Sequence, residues 1–501
     1  MANNIERATE GIEVGFHGRL DIYTAAESIT AENVLEEVNK ALFWHAKNLW
    51  EETELLWYRR GVQPILNRTK KRNKYVCNKV VENHYEEIVT FKNGYFLTQP
   101  AYYIARTEDA QDSVKTLNEY LYRSGKIQAD NDIVNWFHTV GKACLLVEPG
   151  DDDESPIKAY CLDPRQAFVV YSVRPGNKPM MGVNAVTIDK TLFVDVYTAD
   201  TVYRLYGESA PSTTTKAMWP LMPVCSVVTE VLPNTIGKVP MVEYRYNSEN
   251  MSAPEPALPL LNALNTVLSN RLDGIEQFVQ SLMVVYNADL PEGEDASTIK
   301  DSGILLLKST GEQKSDIKIL AEQLDQGQTQ TLVDDIYNRV LAICKVPIVR
   351  YGMTSTSDTG AAALSRDGWY QADNDARNTE DEFKRSNRYF DEIFAEVLRR
   401  RGLLDISTTA FELQFVRNET SNVVSKSQAL LNLLNAGMAP VLAFGKSGIS
   451  NDPLSDVAMS EKWLKLKLGD PDREPTAEEQ VIEEAADEVT TEEVVDNGTA
   501  V

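Results

Sequence analysis

Two long amphipathic helical patterns, separated by a short apolar insert, are the feature that most restricts the fold of this 501-residue chain. The first has one apolar stripe over about six turns, formed by Leu261, Leu264, Leu268, Leu272, Ile275, Phe278 and Leu282. Its opposite face is mostly Asn, Ser, Asp, Glu and Gln. The second covers residues 331–346 and ends before Pro347. Between them, residues 284–320 hold short apolar runs around an acidic turn, which indicates a small α/β insert.

A hydroxyl-rich segment follows the second helix and consists of Thr354, Ser355, Thr356, Ser357, Asp358 and Thr359, with Gly360 after it. A third long helix then extends to about Arg401, and Gly402 supplies its C-terminal stop. Such a segment can cradle a phosphate, present a nucleophile, or form a loop past which another molecule moves. The sequence alone leaves these three interpretations open.

The other parts of the chain predict an α+β fold. A helix with Thr30 at its N-cap runs to Gly61, and a second lies near residues 79–91. Residues 142–246 contain short β-type runs: "ACLLVEP", "PIKAYCLD", "QAFVVYSV", "TLFVDVYTADTVYRLY" and "MVEYRY". A strand at residues 410–416 and several short helices complete the pattern.

Composition excludes several classes of protein. The net charge is −25, and residues 470–501 carry twelve acidic residues and one basic residue without an aromatic, which predicts a disordered acidic tail. An acidic chain disfavours broad binding to DNA. No apolar run reaches membrane-spanning length, and the N-terminus lacks signal-peptide features, so we expect no membrane contact and a cytoplasmic protein. Five scattered cysteines and four isolated histidines predict neither a disulfide framework nor a metal site.

Three motifs that suggest chemistry are better explained by structure. Gly445-Lys446-Ser447 ends like a phosphate-binding P-loop, but Pro440 replaces the required glycine and a helix precedes it. The hydroxyl-rich segment has no histidine near it to act as a base, and Asp358 or Thr359 serves as a helix N-cap. The carboxylates of residues 151–154 lie between two strands, which favours a hairpin tip over a metal site. We therefore predict no catalytic, cofactor-binding or metal-binding residue.

Five stretches occur in a fixed order along the chain: "LLWYRRGVQPILNR", "NKVVENHYEEIVTFKNGYFLTQPAYY", "GKACLLVEP" with "KAYCLDPRQAFVVYS", "KVPMVEYRYNSENMSAPEPALPLLNALNTVLSNRLDGIEQF" and "FELQFVRNETSNVVSKSQALLNLLNAGMAP". Together they resemble portal proteins of tailed bacteriophages, in the branch found in siphophages of Gram-positive hosts. The likeness covers roughly residues 30–470.

This resemblance implies a portal fold assembled as a ring around a central channel, with a mixed α/β wing, a long-helix stem, a small α/β clip and an α-helical crown. The implied parts are an N-terminal arm (1–29), wing (30–250), stem helix (251–283), clip (284–320), second stem helix (321–348), tunnel loop (349–360), long helix linking wing and crown (361–410), crown (411–470) and acidic tail (471–501).

The implied function is a homo-oligomeric ring, a dodecamer in the virion, through which double-stranded viral DNA is packaged and ejected. The implied partners are the terminase large subunit, a head-completion or adaptor protein, and the major capsid and scaffolding proteins. The location would be one capsid vertex, after assembly in the host cytoplasm. Thr354–Gly360 would then form the tunnel loop that touches passing DNA, and the protein would not be an enzyme.

Two alternatives stay open: a nucleic-acid-processing phage enzyme that uses carboxylates such as Asp151–Glu154, and a virion structural protein other than a portal. Eight basic residues fall between Arg59 and Lys79, where they can contact DNA, capsid or solvent alone.

Overall fold

The computed structural model describes residues 18–70, 76–189, 191–209, 223–279, 282–286, 288–289, 308–309, 316–320, 326–348, 368–416, 423–450 and 452–468. The chain is α+β, as the sequence predicts. It forms two compact units: one contains residues 1–103 and 115–420, and the other residues 104–114 and 421–501. The predicted hydroxyl-rich segment and the acidic tail both lie outside the described residues.

The described helices are α1 (Val34–Arg59), α2 (His84–Phe96), α3 (Gln111–Arg123), α4 (Lys126–Val140), α5 (Leu258–Val279), α6 (Gln326–Ile343), α7 (Trp369–Arg400), α8 (Val423–Asn435), α9 (Pro440–Ser447) and α10 (Pro453–Leu468). The strands up to the first long helical pattern are β1 (Ile22–Thr24), β2 (Tyr102–Ala105), β3 (Lys142–Pro149), β4 (Ile157–Leu162), β5 (Ala167–Ser172), β6 (Pro179–Ile188), β7 (Thr191–Tyr197), β8 (Thr201–Ser209), β9 (Pro223–Pro233) and β10 (Met241–Arg245). The later strands are β11 (Leu282–Tyr286), β12 (Ala288–Asp289), β13 (Lys308–Ser309), β14 (Asp316–Leu320) and β15 (Phe411–Gln414). No described helix combines the length and the apolar character that a bilayer span requires.

A six-stranded sheet with the order β1-β5-β6-β7-β8-β9 dominates the N-terminal half. Its strands pair antiparallel, except that β1 runs parallel to β5. Side chains alternate between the faces of a strand, so Leu192, Val194 and Val196 of β7 all point to one side. That side packs against α1 through Val34 and Val38, which are fully buried. The apolar face of α1 is thus buried against the six-stranded sheet.

A three-stranded antiparallel sheet, β10-β3-β4, packs on part of the other face. The two sheets come so close that a methyl group on Gly182 would lie 2.6 Å from the Cβ of Met241. Only glycine fits at this crossing. The hairpin between β3 and β4 closes at Gly150, whose amide donates to the carbonyl of Pro156.

The third long helix, α7, buries an aromatic stripe that includes Phe383, Phe390 and Phe394. The buried ammonium of Lys126 lies 4.7 Å from the ring centroid of Phe390, a distance at which a ring quadrupole attracts a cation. Gly402, with φ of +70°, follows the helix and confirms the predicted stop.

Five predicted boundaries were wrong. Asn33, not Thr30, occupies the N-cap of α1. Helix α2 begins at His84 rather than near residue 79, because residues 76–83 are irregular and bind the side of α5. Helix α5 ends at Val279, so Leu282 belongs to β11 and not to the helical stripe. Helix α6 starts and ends earlier than predicted, at Gln326 and Ile343. The described part of the insert consists of antiparallel strands only, with β11 paired to β14 and β12 paired to β13. The sequence patterns also did not predict β6 and β9.

Candidate channel-forming region

Helices α5 and α6 belong to the first unit and form an antiparallel pair. At one end, Leu258 and Leu261 of α5 share a buried cluster with Val340 and Leu341 of α6. At the other end, the guanidinium of Arg271 donates to the Gln330 side chain at 2.7 Å. Strand β11 follows α5, strand β14 precedes α6, and the two strands pair with each other. Two helices therefore run side by side and are bridged by strands at one end.

The polar face of α5 holds an extended chain segment. The backbone amides of Glu82, Val80 and Asn78 donate to side-chain oxygens of Asn265, Ser269 and Asp273, at 2.9, 3.0 and 2.7 Å. We call this set the amide ladder. All three α5 side chains in the ladder are at most 2 % exposed.

The spacing of the ladder follows from the two backbone geometries. Four residues of an α-helix rise about 6 Å, and two residues of extended chain rise about 6.6 Å. Every fourth side chain of α5 can therefore meet every second amide of the segment. The segment needs these acceptors because buried amides without partners destabilise a fold.

Because α5 turns part of its polar face inward, two apolar side chains in its second half are exposed. Leu272 is 45 % exposed and Ile275 44 % exposed. On α6, Leu332 is 48 % exposed and lies two residues from Gln330, which contacts α5. We call Leu272, Ile275 and Leu332 the outer apolar face. An amphipathic helix normally buries such residues, so this face is suited to contact another protein surface.

Several of the basic residues between Arg59 and Lys79 that the structure describes form ion pairs within the chain. Arg59 pairs with Glu86 at 2.5 Å. Arg68 and Lys70 both pair with Asp273 of the amide ladder, at 3.1 and 2.5 Å. These contacts fix the segment to α5. Three further basic residues of this stretch, Lys71, Arg72 and Lys74, lie outside the described residues.

The segment that contains the predicted tunnel loop leaves the described structure after Ile348 and re-enters it at Gly368. Asp375, in the second turn of α7, accepts hydrogen bonds from Lys345 at 2.5 Å, from Lys92 of α2, and from the hydroxyl of Tyr246 at 2.9 Å. Burial alone would raise the pKa of Asp375, but the charge of Lys92 and the bonds from both lysines outweigh it and lower the pKa. The carboxylate therefore stays charged and joins the two ends of the segment.

Two further features fix these ends. Lys345 has φ of +55°, a left-handed conformation that costs a non-glycine residue roughly 1–2 kcal/mol. It follows the end of α6 at Ile343 and precedes Pro347 by two residues. On the other side, Trp369 at the start of α7 packs against the rings of Phe91 and Tyr95, with centroids 6.3 and 5.9 Å away.

The predicted site residues Thr354, Ser355, Thr356, Ser357, Asp358, Thr359 and Gly360 all lie between these two ends and outside the described residues. The structure thus describes the base of the predicted loop but not the loop. Sequence reasoning missed the residues that build this base, Lys92, Lys345 and Asp375, because they are far apart in the chain. It also missed the amide ladder, although polar residues at positions 265, 269 and 273 share one helical face.

A comparison with family models matches residues 45–463 to the family described as phage portal protein, SPP1 Gp6-like. That range includes α5, α6, the strands between them and most of α1. The chain belongs to this portal protein family. No curated protein matches the chain.

Membership in the portal family confirms the resemblance and supports a structural role in the virion, not an enzymatic one. The sequence motifs that suggested other chemistry have structural explanations. Gly445-Lys446-Ser447 lies at the C-terminal end of α9, whereas a P-loop holds phosphate at a helix N-terminus.

The carboxylates at residues 151–154 lie at the predicted hairpin tip. Asp151 pairs with Lys158, and Glu154 pairs with Arg123 at 2.7 Å. Among the described residues, no cluster of acidic, histidine and cysteine side chains is arranged to hold a metal ion.

The cysteines described in the core are poor nucleophiles. Burial raises the pKa of Cys225 and of Cys344 to about 12, and a thiol of this kind stays protonated at neutral pH.

Proposed function

We propose that copies of this chain assemble into a closed dodecameric ring at one capsid vertex, and that double-stranded viral DNA passes through its centre during packaging and ejection. The observation that carries the proposal is the portal family match over residues 45–463. The antiparallel pair of α5 and α6, bridged by strands at one end, supports it, because a channel wall needs long elements with a compact docking end.

We assign the parts of the portal as follows. Residues 30–250 form the wing, α5 and α6 the stem, and the insert between them, including β11 and β14, the clip. Residues 349–360 form the tunnel loop, and α7 links wing and crown. Residues 411–470 form the crown, of which α8, α9 and α10 belong to the second compact unit.

The outer apolar face is the proposed contact between neighbouring stems. A ring uses the same two complementary surfaces on every copy. Leu272 and Ile275 would lose their exposed apolar area to the next copy, and Leu332 is exposed on the other helix of the same pair. The clip would be the docking site first for the terminase large subunit and then for a head-completion protein. The wing would meet the major capsid and scaffolding proteins.

Within the tunnel loop, Thr354–Thr359 would touch the moving DNA. Short hydroxyl side chains make weak contacts with phosphates and stay hydrated, so they do not arrest a polyanion. Asp358 would add one negative charge per copy. The acidic balance of the whole chain, −25, is consistent with a conduit that DNA does not adhere to.

Electron microscopy and mass photometry of the purified full-length protein test the ring. We expect closed rings for the wild type, and monomers or small oligomers for the double variant Leu272→Asp, Ile275→Asp. Each aspartate would place a charge in an apolar contact, which is costly without a partner.

The matched control for this experiment is Tyr122→Asp, at a helix position that is 76 % exposed and distant in sequence from the stem. This variant should form rings like the wild type. Circular dichroism of all variants checks that they are folded. A wild-type protein without rings in any buffer would refute the proposed assembly, and intact rings in the double variant would refute the proposed contact.

A further inference from the structure

A groove of about 540 Å³ lies at the base of the stem and has no function in the proposal above. It runs between the loop before α5, the end of α6 and the first turns of α7. Its apolar lining is Met251, Ala253, Pro256, Ile343 and Cys344. Ile343 is 44 % exposed there. The other lining side chains are polar. They include Asn247, Asn378 and the carboxylates of Glu249, Asp375, Asp381 and Glu382.

The described chain begins beside this groove. The amide of Gly18 donates to Glu255 at 3.0 Å, and the amide of Arg19 donates to the carbonyl of Asn250 at 3.0 Å. A methyl group on Gly18 would lie 1.9 Å from the carbonyl oxygen of Glu249 and 3.1 Å from the Cγ of Met251. Glu249 and Met251 both line the groove. Residue 17 is therefore attached to a residue that lies against the groove wall.

This start point is firmly held. The guanidinium of Arg19 is fully buried and pairs with Glu255 at 2.7 Å and with Glu51 at 3.1 Å. The Asn250 side chain donates to the carbonyl of Arg19 at 2.9 Å. Buried contacts therefore hold the first described residues in place beside the groove.

The preceding residues have a pattern that suits a groove with both apolar and polar lining. Residues 12–16 read Ile-Glu-Val-Gly-Phe, with apolar side chains at every second position. In an extended chain such side chains share one face, and six residues span about 20 Å. Ile12, Val14 and Phe16 would point one way, and Glu13 would point the other.

We propose that residues 12–17 of the same chain occupy this groove, with Ile12, Val14 and Phe16 against its apolar lining. The occupant is the chain's own segment because Gly18 already touches the groove wall. The backbone of the segment would find hydrogen-bond partners in the polar side chains along the groove. This inference does not depend on ring formation, since every residue involved belongs to one chain.

The groove adjoins the base of the tunnel-loop segment. Lys345 and Asp375, which join the two ends of the tunnel-loop segment, also line the groove. A bound N-terminal segment would therefore lie next to the base of the loop.

Photo-crosslinking of the full-length protein tests the proposal. Benzoylphenylalanine is placed either at position 14 or, as the matched control, at position 13. We expect position 14 to give about fivefold more product than position 13, because neighbouring side chains of an extended chain point in opposite directions. Mass spectrometry should map the attachment to residues 247–256 or 343–345, in a product of monomer mass.

Two substitutions in α6 complete the test. Ile343→Asp should remove most of the crosslink at position 14, whereas Leu332→Asp, equally exposed on the same helix but outside the groove, should leave it intact. Attachment outside the groove, or equal yields at both positions, would overturn the proposal. A groove-mapped product of dimer mass would overturn the same-chain occupant and assign the groove to the segment of a second copy.

Discussion

Glu52 gives the chain a pH-dependent stability that can be worked out from its surroundings. Its side chain lies on α1 at 2 % exposure, and its Oε2 atom has no hydrogen-bond partner. Burial raises the pKa of Glu52 to about 8, although the charges of Arg19 and Lys142 oppose this. Other titratable or charged groups that border the same small cavity or interact with Glu52 are His45, Glu51, Cys144, Asp163 and Glu243.

The sign of the effect follows from linkage. The ordinary pKa of a glutamate, 4.5, applies to the unfolded chain. Between pH 4.5 and 8 only the folded chain keeps the proton, so folding loses stability as the pH rises through this window. Each pH unit costs about 1.4 kcal/mol, and the whole window about 5 kcal/mol. Glu52→Gln replaces the protonated carboxyl with a neutral group of the same shape and should abolish this loss.

Urea unfolding followed by tryptophan fluorescence at pH 5, 7 and 8.5 is the assay. At pH 5 the wild type and Glu52→Gln should unfold at similar urea concentrations. At pH 8.5 the variant should be more stable by about 4 kcal/mol, since three pH units of the window have then been crossed.

The control is Glu36→Gln, a 70 % exposed side chain on the same helix, which should follow the wild type within about 1 kcal/mol at every pH. If the wild type and Glu52→Gln differ by the same amount at all three pH values, Glu52 is ionised in the folded protein and the reasoning fails.

Three further perturbations address α5, the base of the predicted tunnel loop and that loop itself. Asp375→Ala leaves the buried Lys92 without its carboxylate and should lower the free energy of unfolding by about 3–5 kcal/mol, measured in urea; a loss below 1 kcal/mol would show that the contact is not needed. Ser269→Ala leaves the amide of Val80 without its acceptor and should cost about 1–3 kcal/mol. Hydrogen exchange at Val80 checks this, and unchanged protection would contradict the amide ladder. Shortening residues 354–359 should impair DNA packaging in vitro while electron microscopy still shows rings; normal packaging would make the segment a mere linker.

Helices α5 and α6 could be predicted from the sequence, but the side that each one buries could not. The period of Leu261, Leu264 and Leu268 predicts a helix whatever surrounds it. Burial of Ser269 depends on an extended segment nearly 190 residues earlier, which brings amides that need acceptors. Hydrophobic periodicity carries no information about such a partner. Leu272 and Ile275 of α5 are therefore exposed in a single copy.

Errors at the boundaries have a related cause. Residues 79–83 have helical spacing, yet α2 starts only at His84 because their amides bind α5 instead of the preceding turn. Leu282 continues the apolar period of α5 but pairs with Leu320 in a strand. In both cases a distant contact decides between two local structures that the sequence allows. The portal resemblance could be predicted because it rests on ordered local motifs, which are visible in one chain.

The ion pair between Lys345 and Asp375 separates the length of the tunnel-loop segment from the stability of the fold. These residues are 30 positions apart, and their contact closes the segment at its base. The entropy of closing a loop grows only logarithmically, by about 0.6 kcal/mol for each doubling of its length. Insertions or deletions in the segment between the two residues should therefore change the free energy of unfolding only slightly. The length and composition of this stretch can therefore change during evolution while the rest of the fold keeps its stability.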